Sequence, residues 1–349
     1  MSAPTAAKTS ETPPLLLGID VGGTNIKIGI VDFHGQVLVQ TSIPTHEEKG
    51  PEHAAQEIRK AADNLALQAG IRLSEIVRVG LATPGTMDIP QGIILQPHNL
   101  PHWHDCPIRD LVSAALQLPV SYANDANSAA YGEFWVGSGQ EFHSIIMLTL
   151  GTGVGGGVII GNLSVDGENS TGSECGHIII DSSPDARLCG CGQKGHLEAY
   201  CSATALVKRT SELLASGAAS SLQAILQRNE PLTSLVIAQH AESGDPFALE
   251  VIDELAHYLG RGISSLMAVI DPGAVILGGA MNFGGESNRL GKRFLETVRQ
   301  VVREHTFPVL ALRTKIKFAR LAGNAGFIGA AGIARLDYQG SRAQPPLHG

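Results

Sequence analysis

Two cysteines and two histidines lie close together near the middle of the sequence. His177 stands alone, Cys189 and Cys191 are separated by a single residue, and His196 follows five residues later. Thiolates and imidazoles are the ligands that Zn²⁺ prefers, and four of them complete a tetrahedral structural site. The spacing therefore favours a closed zinc site that folds a loop back on itself. The weaker alternative is two core cysteines beside two surface histidines.

Acidic residues flank these four ligands. Glu174 precedes His177 by three residues, and Glu198 follows His196 by two. Four protein ligands leave no open position on the ion, so the predicted zinc is structural rather than a Lewis acid. We expect it to fix the orientation of His177, Glu174 and Glu198, which then become the groups that contact a ligand.

A further acid, Asp125, lies upstream, where a short apolar run ends and a helical pattern begins. A carboxylate in that place has the properties of a general base, and the neighbouring Asn124 could position a hydroxyl group. We expect backbone N–H donors to keep Asp125 ionised at neutral pH. The alternative is that Asn124 or Asp125 only caps the helix, and these residues alone leave both interpretations open.

Two short turns rich in glycine and threonine occupy positions 22–24 and 151–153, each directly after an apolar run. Such turns expose backbone N–H groups, which could cradle the phosphates of one nucleotide if two domains face each other. A single turn of this kind is usually an ordinary hairpin. The pair, with Asp20 shortly before the first turn, favours phosphate binding, and Asp20 could hold Mg²⁺ directly or through water.

The elements that must position these residues alternate between strand and helix. Apolar runs predict strands at 15–20, 26–31, 37–40, 76–81, 120–123, 145–150, 158–160, 275–277 and 315–318. Helical spacing predicts helices at 54–69, 126–134, 204–215, 221–227, 234–242, 246–270 and 325–336. The pattern indicates an α/β fold in which two similar strand-turn-strand units flank a cleft.

Length and charge limit the class of protein. A chain of 349 residues is long enough for two domains. It has 33 acidic against 25 basic residues and no run of lysine or arginine, so we expect no nucleic-acid partner. Residues 1–14 are typical of a disordered tail rather than a signal peptide, and we expect a cytoplasmic protein with reduced thiols and no membrane partner.

Taken together, these motifs resemble the ROK family of sugar kinases and repressors, and the resemblance is closest to its bacterial glucokinases. It extends over residues 15–337 and rests on the segments 20–24, 83–85, 99–101, 124–127, 132–135, 150–153, 174–177, 189–191 and 277–279. The resemblance implies a two-domain actin-like (ribonuclease H-like) ATPase fold with a ligand cleft between the domains. It implies a small domain at 15–122 plus 320–338, a large domain with the zinc loop at 123–319, and a tail at 339–349.

The resemblance also implies an activity, the phosphorylation of glucose at its 6-hydroxyl by ATP and Mg²⁺, with Asp125 as the base and zinc as a structural ion. The implied sugar-binding residues are Gly85, Asn99, Asn124, Asp125, Glu174, His177 and Glu198. The implied nucleotide-binding residues are Asp20, Gly22, Gly23, Thr24, Asn25, Lys27, Thr152, Gly153, Gly279 and Ala280. A homodimer or homotetramer is expected from the family and from the apolar helix faces in 204–270.

Three positions depart from the family pattern. His196 replaces the usual third cysteine of the zinc loop, Ala123 stands where many members have Glu, and His102 stands where Gly is common. Zinc accepts imidazole, so a Cys2His2 site remains chemically reasonable. The last two positions are expected near the sugar and bear on its identity.

Several alternatives remain open at this point. Another sugar, such as N-acetylglucosamine, N-acetylmannosamine, fructose or allose, could replace glucose, and ADP or polyphosphate could replace ATP. A sugar-sensing repressor is a further alternative. It would need a DNA-binding helix-turn-helix before the first strand, for which the polar residues 1–14 are too few.

Overall fold

The computed structural model describes residues 13–97 and 99–343. The segment expected to be an N-terminal tail, 1–14, therefore lies outside the described residues except for its last two positions. Within the described part of the chain, no helix is both long and apolar enough to cross a membrane.

The first half of the chain forms a five-stranded sheet covered by helices. Its elements are β1 (Leu15–Val21), β2 (Asn25–Asp32), β3 (Val37–Pro44), α1 (Pro51–Ala69), β4 (Ile76–Thr83), β5 (Thr86–Asp88), β6 (Ile93–Gln96), α2 (Ile108–Leu116) and β7 (Val120–Asn124). The strand order is β3-β2-β1-β4-β7, and β5 and β6 form a separate hairpin. Because β1, β4 and β7 run parallel, their carboxyl ends meet at one edge of the sheet.

The second half builds another five-stranded sheet with more helices. Its elements are α3 (Asp125–Val136), β8 (Ser144–Leu150), β9 (Val154–Ile160), β10 (Leu163–Ser164), α4 (Glu198–Cys201), α5 (Ala203–Ala215), α6 (Gln223–Gln227), α7 (Ser234–Glu242), α8 (Pro246–Ile270), β11 (Ala274–Gly278), α9 (Arg289–His305), α10 (Pro308–Arg313), β12 (Lys315–Phe318) and α11 (Ala325–Ala343). The strand order is β10-β9-β8-β11-β12. Both sheets thus place an antiparallel hairpin, β1–β2 or β8–β9, beside two parallel strands, as a duplicated unit requires.

Local sequence explains most of these boundaries. Helix α1 begins with Pro51 at its first position and ends at Gly70 in the left-handed conformation, and its alanine- and leucine-rich face is buried. Helix α9, by contrast, was not predicted. Its buried residues nevertheless follow helical spacing, and they are Leu290, Gly291, Phe294, Leu295, Val298, Val301 and Val302.

Helices α3 and α11 join the two halves. They approach so closely that a Cβ atom on Gly329 would lie 1.6 Å from the carbonyl oxygen of Ser128, so only glycine fits there. On the first sheet, a Cβ on Gly18 or Gly80 would lie 1.9 Å from a carbonyl oxygen of α11. Helix α11 also corrects one prediction. It continues to Ala343, so residues 339–343 are helical rather than part of a tail, because the helix extends past the last buried apolar residues.

Candidate functional site

A cleft of about 720 Å³ lies between the two sheets. Many of the residues proposed from the sequence line it, namely Asp20, Lys27, Gly85, Asn99, Asn124, Asp125, Thr152, Gly153, Glu174, His177, Cys191, Glu198 and Gly279. Residues 200 positions apart in the chain therefore share one cavity. Outside its lining lie Gly22, Gly23, Thr24, Asn25, Cys189, His196 and Ala280.

Asp125 stands where β7 ends and α3 begins, and the two interpretations of the Asn124–Asp125 pair separate here. Asn124 is the N-cap, because its Oδ1 accepts hydrogen bonds from the backbone N–H groups of Ala126 at 2.9 Å and Asn127 at 3.2 Å. Asp125 accepts one bond, from the N–H of Ala126 at 2.8 Å. Capping is thus mainly the task of Asn124, and the Asp125 carboxyl group retains a free oxygen in the cleft.

The protonation of Asp125 differs from what we expected. Burial is the main cause that raises its pKa to about 7, and the carboxylates of Asp20 and Glu174 contribute to this rise, against a smaller lowering by the N–H of Ala126. One backbone donor does not offset burial and two neighbouring negative charges. The prediction that Asp125 is ionised throughout the neutral range is therefore wrong, since its proton is gained or lost near pH 7. A pKa close to the working pH is what general-base catalysis requires.

Asp20 stands at the end of β1, on the same sheet edge as Asp125. Burial raises its pKa to about 6, and the ammonium of Lys27 opposes this shift. The Lys27 Nζ atom donates to the carbonyl oxygen of Gly323 at 2.5 Å. Gly326 leaves the carboxyl group accessible, because a Cβ there would lie 2.3 Å from Asp20 Oδ2. A buried carboxylate with open space beside it suits a hard cation such as Mg²⁺.

Both glycine turns are held by hydroxyl groups from outside the turn. The first closes with a hydrogen bond from Gly22 N to Asn25 O at 2.9 Å, and Thr45 Oγ1 donates to Gly22 O at 2.7 Å. The second closes from Gly151 N to Gly153 O at 3.0 Å, and Thr204 Oγ1 donates to Thr152 O at 2.8 Å. These side-chain bonds occupy carbonyl groups, and the N–H groups of Gly22 and Gly151 close the turns, which leaves the N–H groups at 23–24 and 152–153 for an anion.

The backbone conformation directly after β11 requires glycine at position 279. Its φ is +88°, and a Cβ atom there would lie 2.3 Å from the carbonyl oxygen of Leu150. The neighbouring Ala280 is exposed, and Met281 N donates to the same Leu150 oxygen at 3.0 Å. The backbone of this turn therefore passes directly beside the second glycine turn.

Two acidic residues and a histidine, Glu174, Glu198 and His177, also line the cleft. Burial, and to a lesser extent the charge of Glu198, raises the pKa of Glu174, while His177 lowers it. Glu198 Oε2 accepts from Val154 N at 3.0 Å, and Glu198 Oε1 accepts from the Cys189 thiol at 3.4 Å. The carboxyl group of Glu198 thus links the candidate metal-binding loop, residues 177–196, to the end of the second glycine turn.

The four predicted metal ligands converge. One ligand atom from each of His177, Cys189, Cys191 and His196 lies within 4.8 Å of all the others. The Nδ1 atoms of the two histidines are 3.3 Å apart, and Cys191 Sγ is 3.2 Å from His196 Nδ1. Two thiols and two imidazoles at this spacing fit a tetrahedral zinc ion. His177 directs its Nδ1 at this cluster and its Nε2 toward Glu174, at 3.9 Å from Oε2, so the ring contacts both sites.

Sequence reasoning missed Thr45 and Glu47, which join the first glycine turn to the loop that carries Asn99. Thr45 N donates to Thr24 O at 2.9 Å, and the Glu47 backbone oxygen accepts from the indole of the buried Trp103 at 3.2 Å. The Glu47 carboxylate contacts His102 Nδ1 at 2.7 Å, so this departure from the family pattern has a partner. No local motif marks these residues, because each contact joins distant segments.

Comparison with known proteins gives a consistent result. A model described as "ROK family" matches residues 16–336. The glucokinase of Streptomyces coelicolor is 34% identical over 331 residues, which cover 92% of this chain and 98% of the relative. A solved Streptomyces griseus ROK glucokinase, in complex with glucose and AMPPNP, is 33% identical with a TM-score of 0.73, and the match covers 92% and 99% of the two chains. A solved ROK transcriptional regulator, a homologue of the E. coli MLC protein, is 27% identical with a TM-score of 0.79 and matches 93% of this chain and 79% of its own.

Proposed function

The chain belongs to the ROK family and has its actin-like ATPase fold, and on this premise we propose that it transfers the γ-phosphoryl group of ATP to the 6-hydroxyl of glucose. The observation that carries the proposal is the position of Asp125, whose carboxyl group has a pKa of about 7 in a cleft lined by residues from both sheets. The similarity to glucokinases supports glucose as the sugar and ATP as the donor.

In this mechanism, Asp125 accepts the proton of the 6-hydroxyl as that oxygen attacks the γ-phosphorus of ATP. The bond from this phosphorus to the oxygen of the β-phosphate breaks, and ADP leaves. Phosphoryl transfer depends mostly on positioning and charge neutralisation, so the base acts late and its geometry matters more than its strength. Asn99, Glu174, His177 and Glu198 would hold the other sugar hydroxyls. Acceptor carboxylates and a histidine ring suit a ligand that is rich in hydroxyl groups.

The donor would lie along the two glycine turns. The backbone N–H groups at 23–24 and 152–153 would contact its phosphates, and Gly279 and Ala280 would lie near the adenosine. Asp20 would hold Mg²⁺, which supplies charge neutralisation on the donor phosphates when it is bound. Lys27, beside Asp20, adds a positive charge at the same end of the cleft.

The metal-binding loop would act on orientation alone. Four protein ligands leave a zinc ion no open position, so His177, Cys189, Cys191 and His196 would hold it as a structural ion. Its contribution when bound is to fix the ring of His177. Cys189 would then be a thiolate with no proton to donate, so the carboxyl group of Glu198 would be held by its bond from the N–H of Val154.

We also propose that the two sheets correspond to two domains that close on the substrates, with residues 15–122 and 320–338 on one side and 123–319 on the other. Domain closure around sugar and nucleotide would exclude water, which otherwise competes with the sugar hydroxyl for the phosphoryl group.

The decisive experiment is a panel of sugars and phosphoryl donors assayed for sugar 6-phosphate. We expect the highest kcat/KM with glucose and ATP. A higher value with N-acetylglucosamine, N-acetylmannosamine, fructose or allose would reassign the sugar, and a higher value with ADP or polyphosphate would reassign the donor.

The similarity to a transcriptional regulator favours one second candidate, a sugar sensor that does not transfer phosphate. Calorimetric binding of glucose without turnover on any sugar and donor pair would support the sensor. The presence of Asp125 in the cleft favours the kinase.

A further inference from the structure

Arg187 lies in the metal-binding loop, two residues before Cys189, and makes contacts that none of the proposed roles explain. Its guanidinium forms an ion pair with Glu254 on α8. The same group lies over the ring of Tyr200, 4.6 Å from the centroid, and 5.3 Å from the centroid of Tyr258. A planar guanidinium that is stacked and paired in this way has little freedom to move.

Glu254 is itself held in place from the other side. Arg209 on α5 places its Nε atom 3.1 Å from both oxygens of the Glu254 carboxylate. The three side chains are only 24–33% exposed, so water screens these charges less than at an open surface. The metal-binding loop is thereby attached to two long elements of the second half of the chain, α5 and α8.

A second set of contacts ties Arg187 to the sugar side of the cleft. Tyr200 lies in α4, two residues after the helix begins at Glu198. Its hydroxyl accepts from the backbone N–H of Arg187 at 2.9 Å and donates to Asp181 Oδ2 at 2.6 Å. Asp181 and the backbone of Arg187 are thus both hydrogen-bonded to Tyr200 in α4, independently of the candidate metal ligands.

We propose that Arg187 is a positioning residue that holds Cys189 and Cys191 in place, slows the release of zinc, and orients Glu198 for the sugar. The inference rests on the proposed function, because it assumes that the loop carries zinc and that α4 binds sugar. Arg187 is not one of the four candidate zinc ligands, so the inference gives the metal site a supporting residue beyond them.

The test compares three variants of the full chain with bound zinc. Arg187→Met keeps the aliphatic stem and removes the guanidinium, and Arg187→Lys keeps the charge but not the planar fork. Arg293→Met is the matched control, because Arg293 pairs with Asp253, the residue next to Glu254 on α8, at an exposed position away from the loop. The rate of zinc transfer to excess 4-(2-pyridylazo)resorcinol is measured for each, together with kcat and KM for glucose.

Loss of a residue that orients metal ligands typically weakens metal binding by about 10–100-fold. We therefore expect Arg187→Met to release zinc at least about tenfold faster, Arg187→Lys to be intermediate, and Arg293→Met to match the wild type within about twofold. We also expect KM for glucose to rise in Arg187→Met with little change in kcat, which a general loss of folded protein would not produce.

Unchanged zinc release in both Arg187 variants would overturn the inference, as would equal acceleration in Arg293→Met. If Arg187→Met does not fold, the Arg187→Lys result decides. A wild-type protein that contains no zinc overturns the inference together with the proposed metal site. A protein that holds zinc but does not phosphorylate glucose contradicts the proposed function, while the zinc-release comparison still tests Arg187.

Discussion

The carboxyl group of Asp20 raises the pKa of Asp125, although β4 separates their two strands in the first sheet. Asp20 lies near the end of β1 and Asp125 directly follows β7, so both stand at one edge of the sheet and line the same cleft. Asp20 would lose this effect on Asp125 whenever a cation neutralised it. The proton affinity of the proposed base therefore depends on whether the proposed donor site is filled.

Replacing Asp125 by Asn should abolish most turnover while sugar binding persists. The amide has similar size and can still accept the Ala126 N–H bond, but it cannot take a proton. General bases contribute about 10²–10⁴-fold, so kcat should fall by that factor, and glucose should still bind in calorimetry. The control is Asp110→Asn on α2, where the carboxyl group is exposed. Comparable kcat for Asp125→Asn and wild type would remove Asp125 from the role of base.

The same variant should change how stability depends on pH. The pKa of Asp125 is raised to about 7, above its unfolded value near 4, so the folded state binds more protons between these values. The contribution of Asp125 to the stability of the folded state is therefore largest below about pH 4 and is lost as the pH rises through 7. Partial exposure to the cleft reduces the effect, and we expect about 1–3 kcal/mol at pH 8. Ligand-free Asp125→Asn should thus gain stability over wild type at pH 8 in urea unfolding, and equal gains at pH 5 and pH 8 would contradict this assignment.

These two predictions show which part of the site was accessible from sequence. The sequence indicated Asp125 and the four candidate metal ligands because each motif consists of residues that are close together in the chain. Their environment was not, since the pKa of Asp125 depends on Asp20, more than 100 residues away. Arg187 and Glu254 are separated by 67 residues, and the spacing of apolar residues in the sequence does not predict such a contact.

The fold follows a similar division. Apolar runs predicted most strands, and the two turn motifs predicted the duplication that the matching strand orders show. Helix α9 was missed although its apolar residues have helical spacing, because charged residues dominate its exposed face. The polar residues 339–343 indicate a tail from sequence alone. They are helical in the structure because the last turns of α11 lie at the surface, where a helix needs no apolar residues.

Purified protein should contain one zinc ion per chain by elemental analysis. Cys189→Ser combined with Cys191→Ser should lose the ion and, with it, glucose affinity, because the ring of His177 loses its fixed orientation. His196→Cys should retain zinc, since thiolate is also a preferred ligand. Cys106→Ser is the control, because this buried thiol lies in the core of the first sheet. Full activity in metal-free protein would rule out the orienting role.

The first glycine turn can be tested by changing Thr45, a residue that supports the turn from outside the lining of the cleft. Its buried hydroxyl donates to Gly22 O at 2.7 Å, and Thr45→Val keeps the shape of the side chain but leaves that oxygen without its donor. An unpaired buried acceptor costs about 1–3 kcal/mol, which should loosen the turn and lower the free energy of unfolding by that amount. We expect KM for ATP to rise about three- to tenfold, since weaker support of the N–H cradle removes donor binding of that order. Thr45→Ser keeps the hydroxyl and should restore both values. Equal KM for ATP in Thr45→Val and Thr45→Ser would contradict this prediction. The hydrogen bond from Thr45 to Gly22 would then have no effect on the binding of ATP.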